Sequence, residues 1–196
     1  MGHMRLTCGC RLTVISPDRM QACLPMAEHF SWLDPRIVVG PSPIHGLGLR
    51  AREPIAAGET VIRWRGEELP VSELARLKLR PRYDCATLSE TTIMVFSSED
   101  PVIRGNHSCD PNLWMEDSVT ESARRDISAG EELTVDYGLH SDDPTWRMEC
   151  ACSSPQCRGI ITGSDWKRHD LQQRYAGHFS PHLTVRFASA VRDEAL

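Results

Sequence analysis

The sequence predicts a domain built mainly from short β-strands, with a few short helices. Runs rich in β-branched residues alternate with turns that contain glycine or proline, which is typical of several small sheets. The strand-like runs cover residues 36–39, 60–65, 91–96 and 131–135. With 196 residues, 40% of them hydrophobic, the chain is long enough to bury one core of ordinary size. We therefore expect one domain with flanking extensions.

Capping signals predict two helices. The first starts with Ser72 as its N-cap and covers residues 73–79, because Pro81 cannot continue a helix. The second covers about residues 169–175. Helix is therefore the minority element.

Two segments of the chain resemble each other. Residues 51–59 and 123–131 both predict a strand, an Ala-Gly turn and a second strand. Glycine permits a positive φ at such a turn, so we attribute the likeness to shared turn chemistry rather than to a duplicated unit. Only the second segment continues into Asp136 and Tyr137.

Charge and hydropathy exclude several classes of protein. The net charge of -5 gives no broad basic surface, and the local basic run at 76–82 does not resemble a nucleic-acid platform. No stretch approaches the roughly 18 consecutive apolar residues of a membrane span, and the N-terminus lacks the apolar core of a secretory signal. The residues before Met4 resemble a cloning remnant. An acidic enzyme would suit a cationic substrate.

The cysteine pattern indicates a metal site. Eight cysteines without an export signal favour free thiols and metal over disulfides, which indicates a cytoplasmic protein. Cys150, Cys152 and Cys157 lie close together around Pro155 in a polar stretch that can wrap a metal ion. Structural zinc takes four ligands, with sulfur at about 2.3 Å, and Cys109 is the best candidate for the fourth. The alternative, a set of buried free thiols, does not suit the polar surroundings.

The other cysteines carry weaker signals. Cys8, Cys10 and Cys23 would form a second metal site only with a partner such as His29, and incidental thiols are the preferred interpretation. Cys85 lies in an apolar run and is predicted to belong to the core.

Four motifs follow one another in a specific order. They are Gly-Leu-Gly-Leu at 46–49, Asn-His-Ser-Cys-Asp-Pro-Asn at 106–112, Glu-Leu-Thr-Val-Asp-Tyr at 132–137 and a Cys-x-Cys to Cys-Arg-Gly cluster at 150–159. Together they resemble the SET-domain protein-lysine methyltransferases that carry a post-SET zinc motif. The match covers roughly residues 36–163. It is specific because all four motifs occur together in this order.

The resemblance implies a SET fold, in which small β-sheets surround a C-terminal pseudoknot that carries a zinc-bound post-SET loop. The pseudoknot would place Asp136 and Tyr137 beside the turn that begins with Asn106 and His107. The implied organisation is an N-terminal flank at 1–35, a SET domain at 36–140, a post-SET zinc motif at 146–163 and a C-terminal helical tail at 164–196.

By the same resemblance Tyr137 is the catalytic tyrosine. Methyl transfer in line from a sulfonium carbon needs a neutral lysine nitrogen, yet lysine, with a pKa of ~10.4, is almost entirely protonated near neutral pH. A narrow apolar channel and the sulfonium charge would lower that pKa, and Tyr137 would orient the amine. Val135 stands where many members carry a Phe or Tyr that limits the number of methyl groups. The product state is therefore open.

The implied cofactor is S-adenosylmethionine, bound at the junction of these motifs. Tyr83 stands where the family often has a tyrosine that lines the cofactor or lysine pocket, and a half-buried core tyrosine is an equal alternative. Ile161 is an alternative to Ile160 for the contact that closes over the adenine. The cofactor contacts implied by position are Leu47, Gly48, Tyr83, Asn106, His107 and Ile160.

The sequence thus predicts a protein-lysine N-methyltransferase with a structural zinc ion, acting on a lysine-containing protein or peptide. The alternatives are a methyltransferase of a small amine or biosynthetic peptide, and a non-catalytic SET-fold binding module. All motif positions are intact, which favours catalysis. No nucleic-acid or membrane partner is expected, and the location is cytoplasmic, or nuclear and chromatin-associated in a eukaryote, rather than secreted.

Overall fold

The fold is described from a computed structural model of the chain. The structure describes residues 30–77 and 84–193, with side chains up to residue 187. The predictions made for Tyr83 and for the group of Cys8, Cys10 and Cys23 fall outside the described residues.

Short strands account for most of the regular structure in the described ranges. The strands are β1 (Trp32–Leu33), β2 (Ile37–Pro41), β3 (Leu47–Ala51), β4 (Thr60–Arg63), β5 (Glu67–Pro70), β6 (Cys85–Thr87), β7 (Thr92–Val95), β8 (Asn106–His107), β9 (Leu113–Met115), β10 (Thr120–Ala123), β11 (Glu132–Val135), β12 (Arg147–Glu149) and β13 (Ile160–Thr162). The α-helices are α1 (Leu74–Leu77), α2 (His169–Arg174) and α3 (Pro181–Asp193). Short 3₁₀ helices cover Val71–Glu73, Pro101–Arg104, Tyr137–Leu139 and Asp165–Lys167. This arrangement confirms the predicted mainly β fold with short helices.

The strands form four small sheets. Their orders are β1-β4-β10-β9, β2-β3-β11-β8, β5-β7-β6 and β12-β13. Among the described pairings only β8 with β11 is parallel, and it sets Thr134 opposite Asn106 and Val135 opposite His107. A parallel pair requires a long connection between its strands, so this pairing joins segments that are distant in sequence. It places the Asn-His turn beside the segment that leads into Tyr137, as predicted.

The two segments that resemble each other in sequence pair with each other in the structure. Ile55 and Ile127 exchange main-chain hydrogen bonds in both directions, at 3.0 and 2.9 Å. Gly58 and Gly130 occupy matching turns, with φ of 83° and 82°. This confirms the shared turn chemistry, since only glycine adopts that conformation without strain. The strands that flank the turns also correspond, because β3 pairs with β11 and β4 pairs with β10.

The four predicted strand runs each overlap an observed strand, and the second predicted helix is present as α2. The start of the first helix was predicted wrongly. Ser72 lies inside a 3₁₀ turn whose N-cap is Pro70, and no side chain caps this turn. The prediction that Cys85 belongs to the core is also wrong, since Cys85 is half-buried and lines a cavity.

The C-terminal segment packs on the β-sheets. Trp166, Tyr175 and Phe179 are buried and belong to the same hydrophobic core as the strands, together with Leu183 of α3. Helix α3 lies within the predicted C-terminal helical tail, although no capping signal predicted its start. In the described ranges, no helix is long and apolar enough to cross a membrane.

Candidate active site and metal centre

A cavity of about 210 Å³ lies among the sheets. Its wall is mostly apolar and aromatic, with a few polar groups. Such a mixture is typical of sites that enclose a small ligand or a single side chain. The lining residues are Leu49, Ile62, Trp64, Asp84, Cys85, Ala86, Phe96, Val102, Ile103, Gly105, Leu113, Glu121, Leu133, Val135, Tyr137, His140, Ser141 and Trp146.

Tyr137 stands at the wall of this cavity, directly after β11. It begins a 3₁₀ turn whose N-cap, Asp136, accepts a hydrogen bond from the N–H of Gly138 at 3.0 Å. The phenol hydroxyl donates to the carbonyl oxygen of Gly105 at 2.8 Å. Burial, with added repulsion from Asp84 and Glu121, raises the pKa of the Tyr137 phenol. Tyr137 is therefore a neutral hydrogen-bonding group and not a phenolate base.

The imidazole of His107 lies inside the protein and not at a surface. Its Nδ1 accepts a hydrogen bond from the main-chain N–H of Tyr137 at 3.1 Å, and its Nε2 lies 3.3 Å from Sγ of Cys109. Burial lowers the pKa of His107 to about 4, with Asp136 partly opposing the shift, so the ring is neutral near pH 7. Any contact from His107 to a cofactor would have to come from its main chain.

Four sulfur atoms meet beside this imidazole. The Sγ atoms of Cys109, Cys150, Cys152 and Cys157 all lie within 4.8 Å of one another. A tetrahedral zinc ion with Zn–S bonds of about 2.3 Å requires sulfurs about 3.8 Å apart. The Sγ atoms of Cys109 and Cys150 are 3.8 Å apart, and the N–H of Arg158 points at Sγ of Cys109 at 3.3 Å. The predicted four ligands thus come together in a set that fits a metal ion.

A buried ion cluster joins the metal loop to the segment that carries Tyr137. The guanidinium of Arg158 binds both carboxylate oxygens of Asp136, at 2.6 and 2.7 Å, and its Nε lies 2.9 Å from Asp165. The three side chains are almost completely buried. Hydrogen bonding and the charge of Asp136 raise the pKa of Arg158 against the opposing effect of burial, which is the largest single influence. These contacts were not predicted, although Asp136 and Arg158 both lie within motifs that were.

Three of the predicted cofactor residues lie together. The side-chain amide of Asn106 donates to the carbonyl oxygen of Leu47 at 3.0 Å and to Glu132 at 2.8 Å. A Cβ on Gly48 would come within 2.2 Å of the Glu132 carboxylate and 3.2 Å of the Asn106 amide. A larger residue at position 48 would therefore have to displace the Glu132 carboxylate that orients Asn106. The side chain of Leu47 is exposed, as expected for a residue that contributes its main chain to a site.

Ile160 belongs to β13, which directly follows the cysteine loop. Its side chain is 45% exposed, whereas the neighbouring Ile161 is fully buried in the protein. Of the two residues considered for a cofactor contact, Ile160 is therefore the accessible one.

Glu121 is a cavity residue that sequence reasoning missed. It lies in β10, is 3% exposed and lines the same cavity as Tyr137. Burial raises the pKa of Glu121 to about 8, against the opposing effect of a hydrogen bond from Trp64. All four residues of β10 are buried, so no alternation of polar and apolar residues marks which face Glu121 occupies.

Comparisons with known proteins agree with this arrangement. Residues 46–138 match the family model of the SET domain. The histone-lysine N-methyltransferase ATX2 of Arabidopsis thaliana is 31% identical, over 72% of this chain and 15% of that protein. An H3 lysine-4 specific histone-lysine N-methyltransferase of Eremothecium gossypii is 33% identical, over 61% of this chain and 14% of that protein. The chain thus spans only a small part of the length of these relatives.

A solved structure also resembles this fold. The methyltransferase domain of the human histone-lysine N-methyltransferase SETMAR superposes with a TM-score of 0.52 and 25% sequence identity. The match covers 64% of this chain and 57% of that one.

Proposed function

We propose, because residues 46–138 match the family model of the SET domain, that the chain is an S-adenosylmethionine-dependent N-methyltransferase of protein lysine side chains. The observation that carries the proposal is the position of Tyr137. Its hydroxyl lies at the wall of an apolar cavity, while β8 and β11 hold Asn106 beside the same segment. The adjacent strands β8 and β11 thus lead into both a cavity for an alkylamine and a candidate cofactor-binding site.

The cavity wall can orient a lysine side chain. Aromatic rings of Trp64, Phe96 and Trp146 line it and exclude water from the aliphatic part of the substrate. The hydroxyl of Tyr137 donates its proton to Gly105, so an oxygen lone pair is free to accept a hydrogen bond from the substrate amine. Holding the amine in line with a methyl carbon at about 3 Å accounts for several kcal/mol of barrier lowering.

S-adenosylmethionine, when bound, supplies the methyl group on a positively charged sulfur. In our proposal the main chain at Leu47 and Gly48 and the side chain of Asn106 hold it, and the exposed Ile160 covers the adenine. Asn106 is already oriented by Glu132, so it needs little reordering when the cofactor binds.

The metal in the proposal is zinc, held by the four clustered cysteines. A closed set of four thiolates indicates a structural site, because a catalytic zinc ion keeps one position open. The ion would fix the loop between β12 and β13 against the turn that contains Cys109. That loop carries Arg158 to Asp136 and leads into Ile160, so the metal stabilises the cofactor side of the site.

The relatives named above are histone-lysine methyltransferases, and we propose a lysine in a histone or another basic protein as the substrate. A nuclear location in a eukaryote, or a cytoplasmic one otherwise, belongs to the same proposal.

A transfer assay tests the function. The protein is incubated with S-adenosylmethionine labelled in the methyl group, and with core histones, a degenerate lysine-peptide library or free alkylamines. We expect label on lysine Nζ of the proteins or peptides, located by mass spectrometry. Transfer confined to free amines would support a small-molecule enzyme, and no transfer to any of the three would indicate a binding module.

A further inference from the structure

We infer that Glu121 is a catalytic base that takes the proton from the substrate ammonium group inside the cavity. The inference rests on the proposed methyltransferase function and adds a residue to it. The four motifs that identify the site do not include Glu121, and only its place in the cavity wall points to this role.

Glu121 lines the cavity beside an irregularity in strand pairing. In the pairing of β10 with β4, Glu121 lies opposite Ile62, and the next residue, Ser122, lies opposite Thr60, so Val61 is an extra residue on β4. Such β-bulges often occur beside active sites. Ile62 and Glu121 both line the cavity.

In the described parts of the chain, the cavity wall beside this carboxyl group contains no Lys or Arg side chain. Among the described lining residues, the other titratable groups are Asp84, Cys85, Tyr137 and His140. Burial lowers the pKa of His140 to about 4, so its ring is neutral near pH 7. Burial likewise keeps the phenol of Tyr137 protonated. A lysine ammonium ion that enters the cavity would supply a partner charge to the ionised form of Glu121, and its aliphatic stem suits the apolar wall.

The cost of burying Glu121 supports a chemical role. Trp64 donates a hydrogen bond to Glu121, yet burying a carboxyl group in a protein core still costs free energy relative to an apolar side chain of similar volume. Burial raises the pKa of Glu121 to about 8, so a proton held there near neutral pH is easily exchanged. A general base works best when its pKa is close to the working pH. Tyr137 cannot serve, because burial and neighbouring negative charge raise the pKa of its phenol.

The proton transfer balances without any further reactant. One N–H bond of the ammonium group breaks, an O–H bond forms on the Glu121 carboxylate, and the nitrogen keeps the electron pair. Two ions thereby become a neutral amine and a carboxylic acid, which a low-dielectric cavity favours. The nitrogen pair would then form a bond to the methyl carbon while the carbon–sulfur bond of the cofactor breaks and its electron pair stays on sulfur. The product would leave as a methylammonium ion and the cofactor as a neutral thioether. The carboxylic acid returns its proton to water when the cavity opens.

The test compares pH–rate profiles. The kcat for a degenerate lysine-peptide library is measured from about pH 6 to about pH 10 for the wild-type protein, Glu121→Gln, Glu121→Asp and the control Glu116→Gln. Glu116 follows β9 outside the cavity. We expect Glu121→Gln to lower kcat about 10²-fold at pH 8 and to move the rising limb of the profile toward the pKa of free lysine, with KM nearly unchanged. Glu121→Asp should restore part of the rate, and Glu116→Gln should follow the wild type.

An unchanged profile for a folded, active Glu121→Gln variant would overturn the inference and leave the proposed function intact. A wild-type protein that methylates no protein or peptide would overturn both. Should Glu121→Gln not fold, carboxyl ¹³C NMR of the wild-type protein decides the matter. A lysine peptide should shift the titration of Glu121, whereas its norleucine analogue should not, and equal titrations with both peptides would refute the inference.

Discussion

The main-chain N–H of Tyr137 donates a hydrogen bond to Nδ1 of His107 at 3.1 Å. The two residues meet because β8 and β11 pair in parallel. The other ring nitrogen of His107 lies 3.3 Å from Sγ of Cys109, one of the clustered thiols. A single neutral imidazole therefore connects the turn that carries Tyr137 to the metal centre.

Tyr137→Phe should lower the rate of methyl transfer about 10²-fold or more, because the hydroxyl that orients the amine is lost while the ring still packs. Initial rates with labelled cofactor measure the effect. Tyr175→Phe is the matched control, since Tyr175 is fully buried outside the cavity and its hydroxyl is 3.5 Å from the carbonyl of Cys109. Equal rates for the two variants would contradict the role proposed for Tyr137.

Cys157→Ser should remove most of the bound zinc, because a hydroxyl is a poorer zinc ligand than a thiolate. Metal analysis of the purified wild-type protein should find about one zinc ion per chain. The same variant should bind S-adenosylmethionine more weakly in calorimetry, since the cysteine loop leads into Ile160. Cys85→Ser is the control for metal content, as Cys85 lies outside the cluster. A wild-type protein without zinc, or a variant that retains it, would argue against the site.

Arg158→Met should lower the free energy of unfolding by about 3–5 kcal/mol, because Asp136 and Asp165 would be left buried without their cation. Arg168→Met removes a pair with Asp170 in which both side chains are about half exposed, and should cost at most about 1 kcal/mol. Urea unfolding measures both changes. A cost for Arg158→Met no larger than that for Arg168→Met would show that the buried cluster does not hold the loop in place.

Glu121 should make stability depend on pH. Its pKa in the folded protein is about 8, raised from an ordinary 4.5, so the folded state holds the proton more tightly than the unfolded state. The protonated Glu121 therefore adds its full amount to the free energy of unfolding below pH 4.5. This amount falls as the pH rises from 4.5 to about 8, and above that pH the loss is complete. Glu121→Gln should remove this decline and be more stable than the wild type at pH 9 by about 2–5 kcal/mol.

Urea unfolding from about pH 5 to about pH 9 gives these curves for the wild-type protein, Glu121→Gln and Glu116→Gln. The Glu116→Gln curve should run parallel to that of the wild type. Parallel curves for all three proteins would mean that Glu121 titrates like an exposed carboxyl group.

Val135→Phe should reduce the number of methyl groups added to each lysine. Val135 is buried and lines the cavity, so a larger ring would take up part of its 210 Å³. Mass spectrometry of a methylated peptide over time gives the distribution of products. Val135→Ala is the companion variant and should leave the distribution unchanged or shift it upward. A wild-type distribution from Val135→Phe would show that this side chain does not limit the product.

Much of the site was predictable because its residues are recognised by their side-chain type and by their spacing along the sequence. The spacing of Cys150, Cys152 and Cys157 indicates a metal loop whatever the surrounding fold, since few other arrangements of thiols suit a polar loop. The strands were predictable for a related reason, as β-branched runs between glycine and proline turns form strands locally. Ser72 was placed wrongly because a single capping residue is weak evidence against tertiary packing.

The sequence by itself determined the mainly β character, and it identified the four clustered cysteines and Tyr137 as candidate site residues. Only the tertiary structure decided that Glu121 lines the cavity and that Arg158 binds Asp136 and Asp165. The reason is physical. A strand that is buried on both faces, such as β10, carries no alternation that shows which side chain lines a cavity. An ion pair between distant segments has no local pattern either, so both features exist only in the folded chain.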